Sequence, residues 1–174
     1  KSNHNFNLFN VLKLKKYLDS SCIGNILDRK KLNQTLNNIK PEIVFHLAAQ
    51  SLVGKSYHCP LETFEINVIG SLNVLNACKE VSNIKSILMI TTDKVYKNSN
   101  KIKSFKESDI LGGSDPYSGS KSAAEMSIES FKNSFFKKKN KHKLAVVRSG
   151  NIIGGGDWND GRIVPDIIKS IINK

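Results

Sequence analysis

"SILMITTDKVY", residues 86–96, runs through Ile87, Leu88, Met89 and Ile90 and turns polar at Thr91. An apolar run this short, closed by polar residues, reads as a strand buried inside a parallel sheet. Two other stretches share the build. "PEIVFHLAAQS" (41–51) passes from a β-branched and aromatic run into small and polar residues, and "KLAVVRSGNIIGGGDW" (143–158) does so into glycines. Buried strands are therefore predicted over 41–49, 86–92 and 143–151.

Helical periodicity fills the intervals. Leu61, Phe64, Val68, Leu72 and Leu75 form a stripe that predicts a helix over 60–80, with Pro60 suited to its first turn. Ala124, Ile128, Phe131 and Phe135 line one face of a second helix over 116–137. Further helices are predicted over 8–18, over 29–39 and within "GRIVPDIIKSIINK" (161–174). Strands alternating with helices of this length indicate a doubly wound parallel α/β sheet, covered on both faces. There is no internal repeat and no linker long enough to divide the 174 residues.

Ligands of such sheets bind beyond the carboxyl ends of the strands. "AAQS" (48–51), "TTDKVY" (91–96) and "SGNIIGGGDW" (149–158) occupy those ends, and "DPYSGSK" (115–121) opens the helix that follows the second. Tyr117 and Lys121 are four apart, so on a helix they share a face. The spacing alone is weak: with 24 lysines and four tyrosines, chance supplies such a pair about half the time. A free tyrosine has a pKa of about 10, and a nearby ammonium favours its phenolate. Thr91 or Thr92 is placed to hydrogen-bond the same reacting oxygen. The plainer alternative makes Tyr117 a turn residue and Lys121 a surface lysine. Asp93 has two readings as well, a side chain capping its own turn or a proton donor beside the base. "GGGD" (154–157) is either a flexible loop or a backbone cradle for phosphate.

The net charge of +12 raises nucleic-acid binding as an option, but the lysines are scattered. The densest run, "KKKNKHK" (137–143), reads as a loop and has no interleaved aromatics, so no nucleic-acid partner is expected. The positive field instead favours a small anionic substrate. No apolar run approaches the ~20 residues that span a bilayer, and "KSNHNFNLFN" has no signal-peptide core, which leads us to expect the cytoplasm and no membrane partner. Cys22, Cys59 and Cys78 have neither pairing nor metal-like spacing and read as free thiols. His4, His46, His58 and His142 form no cluster, so no metal is expected.

"HLAAQ", "TTDKVY", "DPYSGSK" and "RSGNIIGGGDW", in this order and spacing, resemble the extended short-chain dehydrogenase/reductase family, and within it the nucleotide-sugar 4,6-dehydratases of the CDP-sugar branch. "FNLFNVLKL" and "IGNILD" extend the resemblance upstream. It implies a Rossmann fold holding NAD and a nucleotide-diphospho-sugar, CDP-glucose, in a complete protein that is a homo-oligomer. It also implies roles. Tyr117 would take the 4-hydroxyl proton, Lys121 would bind the nicotinamide ribose, and Thr92 would hydrogen-bond the reacting oxygen. Asp93 would protonate the departing 6-hydroxyl, and Lys94 stands where the dTDP-glucose enzymes carry a glutamate base. Leu47, Ala48, Ala49 and Gln50 would run along the cofactor, with Asn25 and Ile26 at its adenine. Asn151 and Arg162 would meet the substrate.

The chain departs from the family pattern by having no G-x-x-G-x-x-G turn, by Asn25 where an aspartate is common, and by stopping at Lys174. The expectation is a fragment: residues 1–174 as a partial NAD-binding domain, without the first strand and most of the substrate domain, running into the start of the substrate-binding region. Other members sharing Tyr117 and Lys121, nucleotide-sugar epimerases or a UDP-N-acetylglucosamine dehydratase, remain alternatives, as does a non-catalytic binding protein that kept the core.

Overall fold

The computed structural model describes residues 7–98, 104–137 and 142–172. Its chain divides into two compact units, residues 24–150 and the paired segments 1–23 and 151–174. In the smaller unit lie α1 (Leu8–Val11) and a 3-10 turn, Leu14–Tyr17. The single helix predicted over 8–18 is thus two short turns. Lys13, at φ 51°, takes the left-handed conformation between them and ends the first.

The larger unit begins with α2 (Arg29–Ile39). Asp28 caps it by accepting from Lys31 N at 3.0 Å, and Lys40, left-handed at φ 49°, closes it. Strand β1 (Ile43–His46) leads into α3 (Val53–His58), a helix without an apolar stripe that periodicity did not predict. Gln50 Oε1, 2.7 Å from Leu52 N, holds its entry. The predicted 60–80 helix is continuous but not uniform: α4 (Pro60–Phe64), a π-helical turn at Glu65–Gly70, then α5 (Ser71–Glu80). Gly70 belongs there because a Cβ would lie 2.5 Å from Ile26 Cδ1. Strand β2 (Ser86–Ile90) follows, then α6 (Pro116–Phe131), which continues as a π-turn to Phe136. Strand β3 (Lys143–Val147) completes this unit. The last helix, α7 (Ile163–Ile172), belongs to the smaller unit.

The strands form a parallel sheet in the order β1-β2-β3, with Ile87 paired to Val44 on one side and Leu144 on the other. Rossmann-type α/β architecture is therefore what the chain adopts. One sheet face, Val44, Ile87, Met89, Leu144 and Val146, packs with Val74, Leu75, Cys78 and Ile128 of the helices, and Leu32 and Leu36 of α2 join at the margin. Burial pushes the Cys78 thiol up to about 12, which leaves it unreactive at neutral pH.

On the opposite face, β1 is open among the described residues. Ile43 is 53% exposed and Phe45 62%, so β1 alternates rather than being buried throughout. The cause is period-2 geometry: all the helices that pack on this core cluster approach one face, so alternate side chains face away from it. No helix among the described residues is long and apolar enough to cross a membrane. The lysine run at 138–141 and His4 lie outside the described residues.

Leu75 is 0% exposed at the centre of this core, whereas Leu61 on the same helical stretch is 85% exposed. Leu75→Ala should therefore cost about 2–5 kcal/mol in urea unfolding, and Leu61→Ala no more than about 0.5 kcal/mol. Equal midpoints for the two variants would contradict this packing.

Candidate active site

β2 delivers Thr91 and Thr92 to its carboxyl end, where both are buried. Thr92 caps a 3-10 turn, Asp93–Val95: its hydroxyl accepts from Lys94 N at 3.3 Å and donates to Asp93 Oδ1 at 3.1 Å. Asp93 N donates to Ser149 O at 3.0 Å, which ties the turn to the end of β3. Lys94 Nζ lies 3.4 Å from the same Asp93 carboxylate on the exposed side. α6 brings Tyr117 in its first turn and Lys121 one turn later, both buried. Asp115 caps that helix by accepting from Ser118 N at 3.0 Å, with Pro116 in the first position. Lys121 Nζ donates to Ile90 O at 3.3 Å, so the lysine is anchored at the end of β2 rather than on the surface.

The loop from Tyr96 to α6 is held against the same strand end. Lys97 N bonds to Ile110 O and Gly112 N to Val95 O, both at 2.8 Å, and Tyr96 stacks on Phe105 with centroids 4.6 Å apart. Gly113 is required there, because a Cβ would fall 2.2 Å from the backbone carbon of Ser118.

Behind these groups runs a buried polar seam. Asn67, 1% exposed in the π-turn, accepts from Gln50 N at 2.9 Å and donates to Gln50 O at 3.1 Å and Ser120 Oγ at 2.9 Å. Ser71 Oγ donates to Asn67 O at 2.7 Å and sits 2.9 Å from His46 Nε2. Its one proton being committed, the serine accepts from the ring, so His46 carries its hydrogen on Nε2. A second seam lies across α6. Glu125, 4% exposed, accepts from Thr91 and takes a forked bond from Arg148, with Nη2 to Oε2 at 2.6 Å. Arg148 also donates to Glu107 O at 3.1 Å and lies 4.7 Å over the Tyr96 ring.

Electrostatics follows from burial. Desolvation lowers the Lys121 ammonium from its ordinary value, and the Glu125 charge opposes that shift. His46 falls to about 4, through burial first and the Lys121 charge second. Hydrogen bonds donated to Glu125 hold the Arg148 guanidinium above its usual range despite burial.

The residues expected from sequence are distributed unevenly. Thr92, Asp93, Lys94, Tyr117 and Lys121 belong to one strand end and the helix beside it. Leu47, Ala48 and Ala49 follow β1 with Leu47 and Ala48 exposed, while the Gln50 side chain is committed to Leu52 and Thr63. Asn25 Oδ1 accepts from Leu27 N at 2.9 Å, and Ile26 packs toward the core beside Gly70. Asn151 and Arg162 belong to the smaller unit, where Arg162 Nε lies 3.9 Å from Asp157. Sequence reasoning passed over Asn67, Ser71, Glu125 and Arg148. The available signal was polar residues on the buried side of apolar helices, at Asn67 and Ser71 in one and Glu125 in the other.

His46 makes stability depend on pH. Below pH 6.5 the unfolded histidine binds a proton that the folded one refuses until about pH 4. Stability is thus full above 6.5 and falls as pH drops toward 4, by up to about 3 kcal/mol. His46→Gln should remove that part of the slope in urea titrations between pH 7 and 4. An equally steep slope in the variant would contradict the assignment.

The family model described as GDP-mannose 4,6 dehydratase matches residues 3–140. CDP-glucose 4,6-dehydratase of Salmonella typhimurium is 45% identical over 170 residues, 95% of this chain and 47% of that enzyme. Pal from Bacillus thuringiensis superposes with a TM-score of 0.82 at 26% identity, over 99% of this chain and 53% of that one. A dTDP-glucose 4,6-dehydratase double mutant, DesIV of Streptomyces venezuelae, shares the fold at a TM-score of 0.82 and 20% identity, over 96% of this chain and 49% of that one. The chain spans about half the length of these relatives. It belongs to the GDP-mannose 4,6 dehydratase family, within the extended short-chain dehydrogenases/reductases.

Proposed function

We propose that the complete protein converts CDP-glucose to CDP-4-keto-6-deoxyglucose, with NAD as a cofactor that ends each cycle unchanged. The observation that carries this reading is the bond from Lys121 Nζ to Ile90 O, 3.3 Å, which holds the lysine of "YSGSK" at the strand end continuing into Thr92 and Asp93. The 45% identity to a CDP-glucose 4,6-dehydratase supports the substrate. The residues present fit a dinucleotide: Lys121 has N–H donors beyond the one spent on Ile90, enough for a ribose diol. The small side chains of Ala48 and Ala49 leave the backbone after β1 open to approach. Lys121 and Tyr117 would hold the nicotinamide end, Leu47–Gln50 the stretch along the dinucleotide, and Asn25 and Ile26 the adenine. When bound, NAD supplies a reversible hydride acceptor.

The chain's own residues do the rest. Tyr117 removes the proton of the sugar 4-hydroxyl, and Thr92 hydrogen-bonds that oxygen as it becomes a ketone. The ketone acidifies C5–H, so water can leave across C5 and C6 as a base takes the C5 proton; the hydride removed from C4 would then return to C6 and a proton to C5, which gives the 4-keto-6-deoxy sugar. Asp93, in its protonated form, gives its proton to the departing 6-hydroxyl and is left as the carboxylate that Lys94 pairs with at 3.4 Å. Asn151 and Arg162 bind the nucleotide-sugar. In this reading residues 1–174 are a partial cofactor domain running into the substrate region of a cytoplasmic homo-oligomer. The thiols of Cys59 and Cys78 support the reducing compartment.

Three measurements on the complete protein test this. It should turn over CDP-glucose faster than dTDP- or UDP-glucose, and a clear dTDP-glucose preference in parallel assays would sink the substrate assignment. Tyr117→Phe should lower turnover by about 10²–10⁴-fold. Asp93→Asn should instead slow water loss and let reduced cofactor accumulate in single-turnover absorbance. If Asp93→Asn slows the initial reduction just as severely, its role as proton donor is wrong.

A further inference from the structure

The reaction proposed above uses Tyr117, Lys121, Thr92 and Asp93, and leaves a buried carboxylate unexplained. Glu125 lies one helical turn beyond Lys121 on the buried side of α6. It joins three elements, accepting from Thr91 at the end of β2 and from Arg148 just past β3 while sitting on α6 itself. A buried ion pair is a poor source of stability, because desolvation offsets most of its attraction. Its placement beside the proposed ribose-binding lysine gives the pair another use.

We propose that Glu125 is a positioning residue for this site: its carboxylate, oriented by Arg148, fixes Thr91 beside the reacting strand end and supplies the negative charge that keeps Lys121 an ammonium inside a desolvated pocket. The proposal rests on the proposed dehydratase chemistry only for its kinetic consequence. The neighbouring charges are few. β1 contributes His46, held neutral near pH 7 with its value lowered to about 4. The end of β3 contributes Arg148, and the segment after β2 contributes Tyr96 beneath that guanidinium. Asp93 and Lys94 pair with each other on the exposed side, and the long helix presents the neutral Asn67 and Ser71. Among the described residues, Glu125 is therefore the carboxylate that opposes the desolvation of Lys121.

The sign of the effect is fixed by the charge removed. Glu125→Gln keeps the shape and an acceptor for Thr91 but deletes one negative charge and leaves Arg148 uncompensated. Both changes make Lys121 release its proton more readily. In the full-length protein, the ¹³Cε signal of Lys121, identified by its loss in Lys121→Arg, should titrate about one pH unit lower in Glu125→Gln. Glu125→Asp keeps the charge and should restore most of that shift. In the pH profile of kcat, the alkaline limb should move to lower pH, with kcat down about tenfold and KM for CDP-glucose little changed.

An unmoved Lys121 titration, together with a kcat lowered equally at every pH, would overturn the proposal and leave Glu125 as a strut. If the single variant does not fold, Glu125→Gln/Arg148→Gln avoids leaving Arg148 uncompensated, and a downward shift of Lys121, smaller because the Arg148 charge is gone as well, is required of it. The NMR titration needs no turnover. A protein inactive on CDP-glucose would defeat the dehydratase reading while the Lys121 shift still decides for or against Glu125.

Discussion

The side-chain amide of Asn67 is the constraint on which the arrangement of the larger unit turns. It pairs with both backbone groups of Gln50 and with Ser120, so one residue joins the loop after β1, the long helix and α6. All of these partners are buried, and an unmet backbone group there costs about 1–3 kcal/mol. The chain therefore has one arrangement that satisfies them. A π-turn at Glu65–Gly70 accompanies it, and Gly70 opens room for Ile26 within the same turn. The site elements inherit their spacing from this seam, since Ser120 in turn donates to Tyr117 O at 2.7 Å.

Charge is arranged with equal economy. Lys121 and Glu125 are buried on one helix, with His46 buried at the end of β1. Arg148 compensates Glu125 from a partly exposed position, where its guanidinium reaches Glu107 O and the Tyr96 face as well. The aromatic stack of Tyr96 on Phe105 extends this clamp into the loop before α6. A planar fork with five donors can serve a carboxylate, a carbonyl and an aromatic ring at once, which an ammonium cannot.

Local patterning carried much of the architecture. Apolar runs at 86–92 and 143–151 became parallel neighbours, and the 3.6-residue stripes at 60–80 and 116–137 became continuous helices, because burial rewards those periods wherever they occur. Pro60 marked a helix start through chemistry confined to one turn. The features that escaped were those without a local cause. The break at Lys13, the helix at 53–58 and the open face of β1 depend on what lies across space, not on neighbours in sequence.

For the proposed site, sequence by itself offered the candidates: Thr92, Asp93, Lys94, Tyr117 and Lys121, from their place behind a strand, the four-residue spacing of the last two and the resemblance to a family motif. Tertiary structure decided which of them are buried and what charge surrounds them. Lys121 reaches Ile90 O across 31 positions, Arg148 reaches Glu125 across 23, and Asn67 reaches Ser120 across 53. Such pairings leave no periodicity to read, because each is selected by the need to satisfy a buried polar group after the sheet and helices have closed.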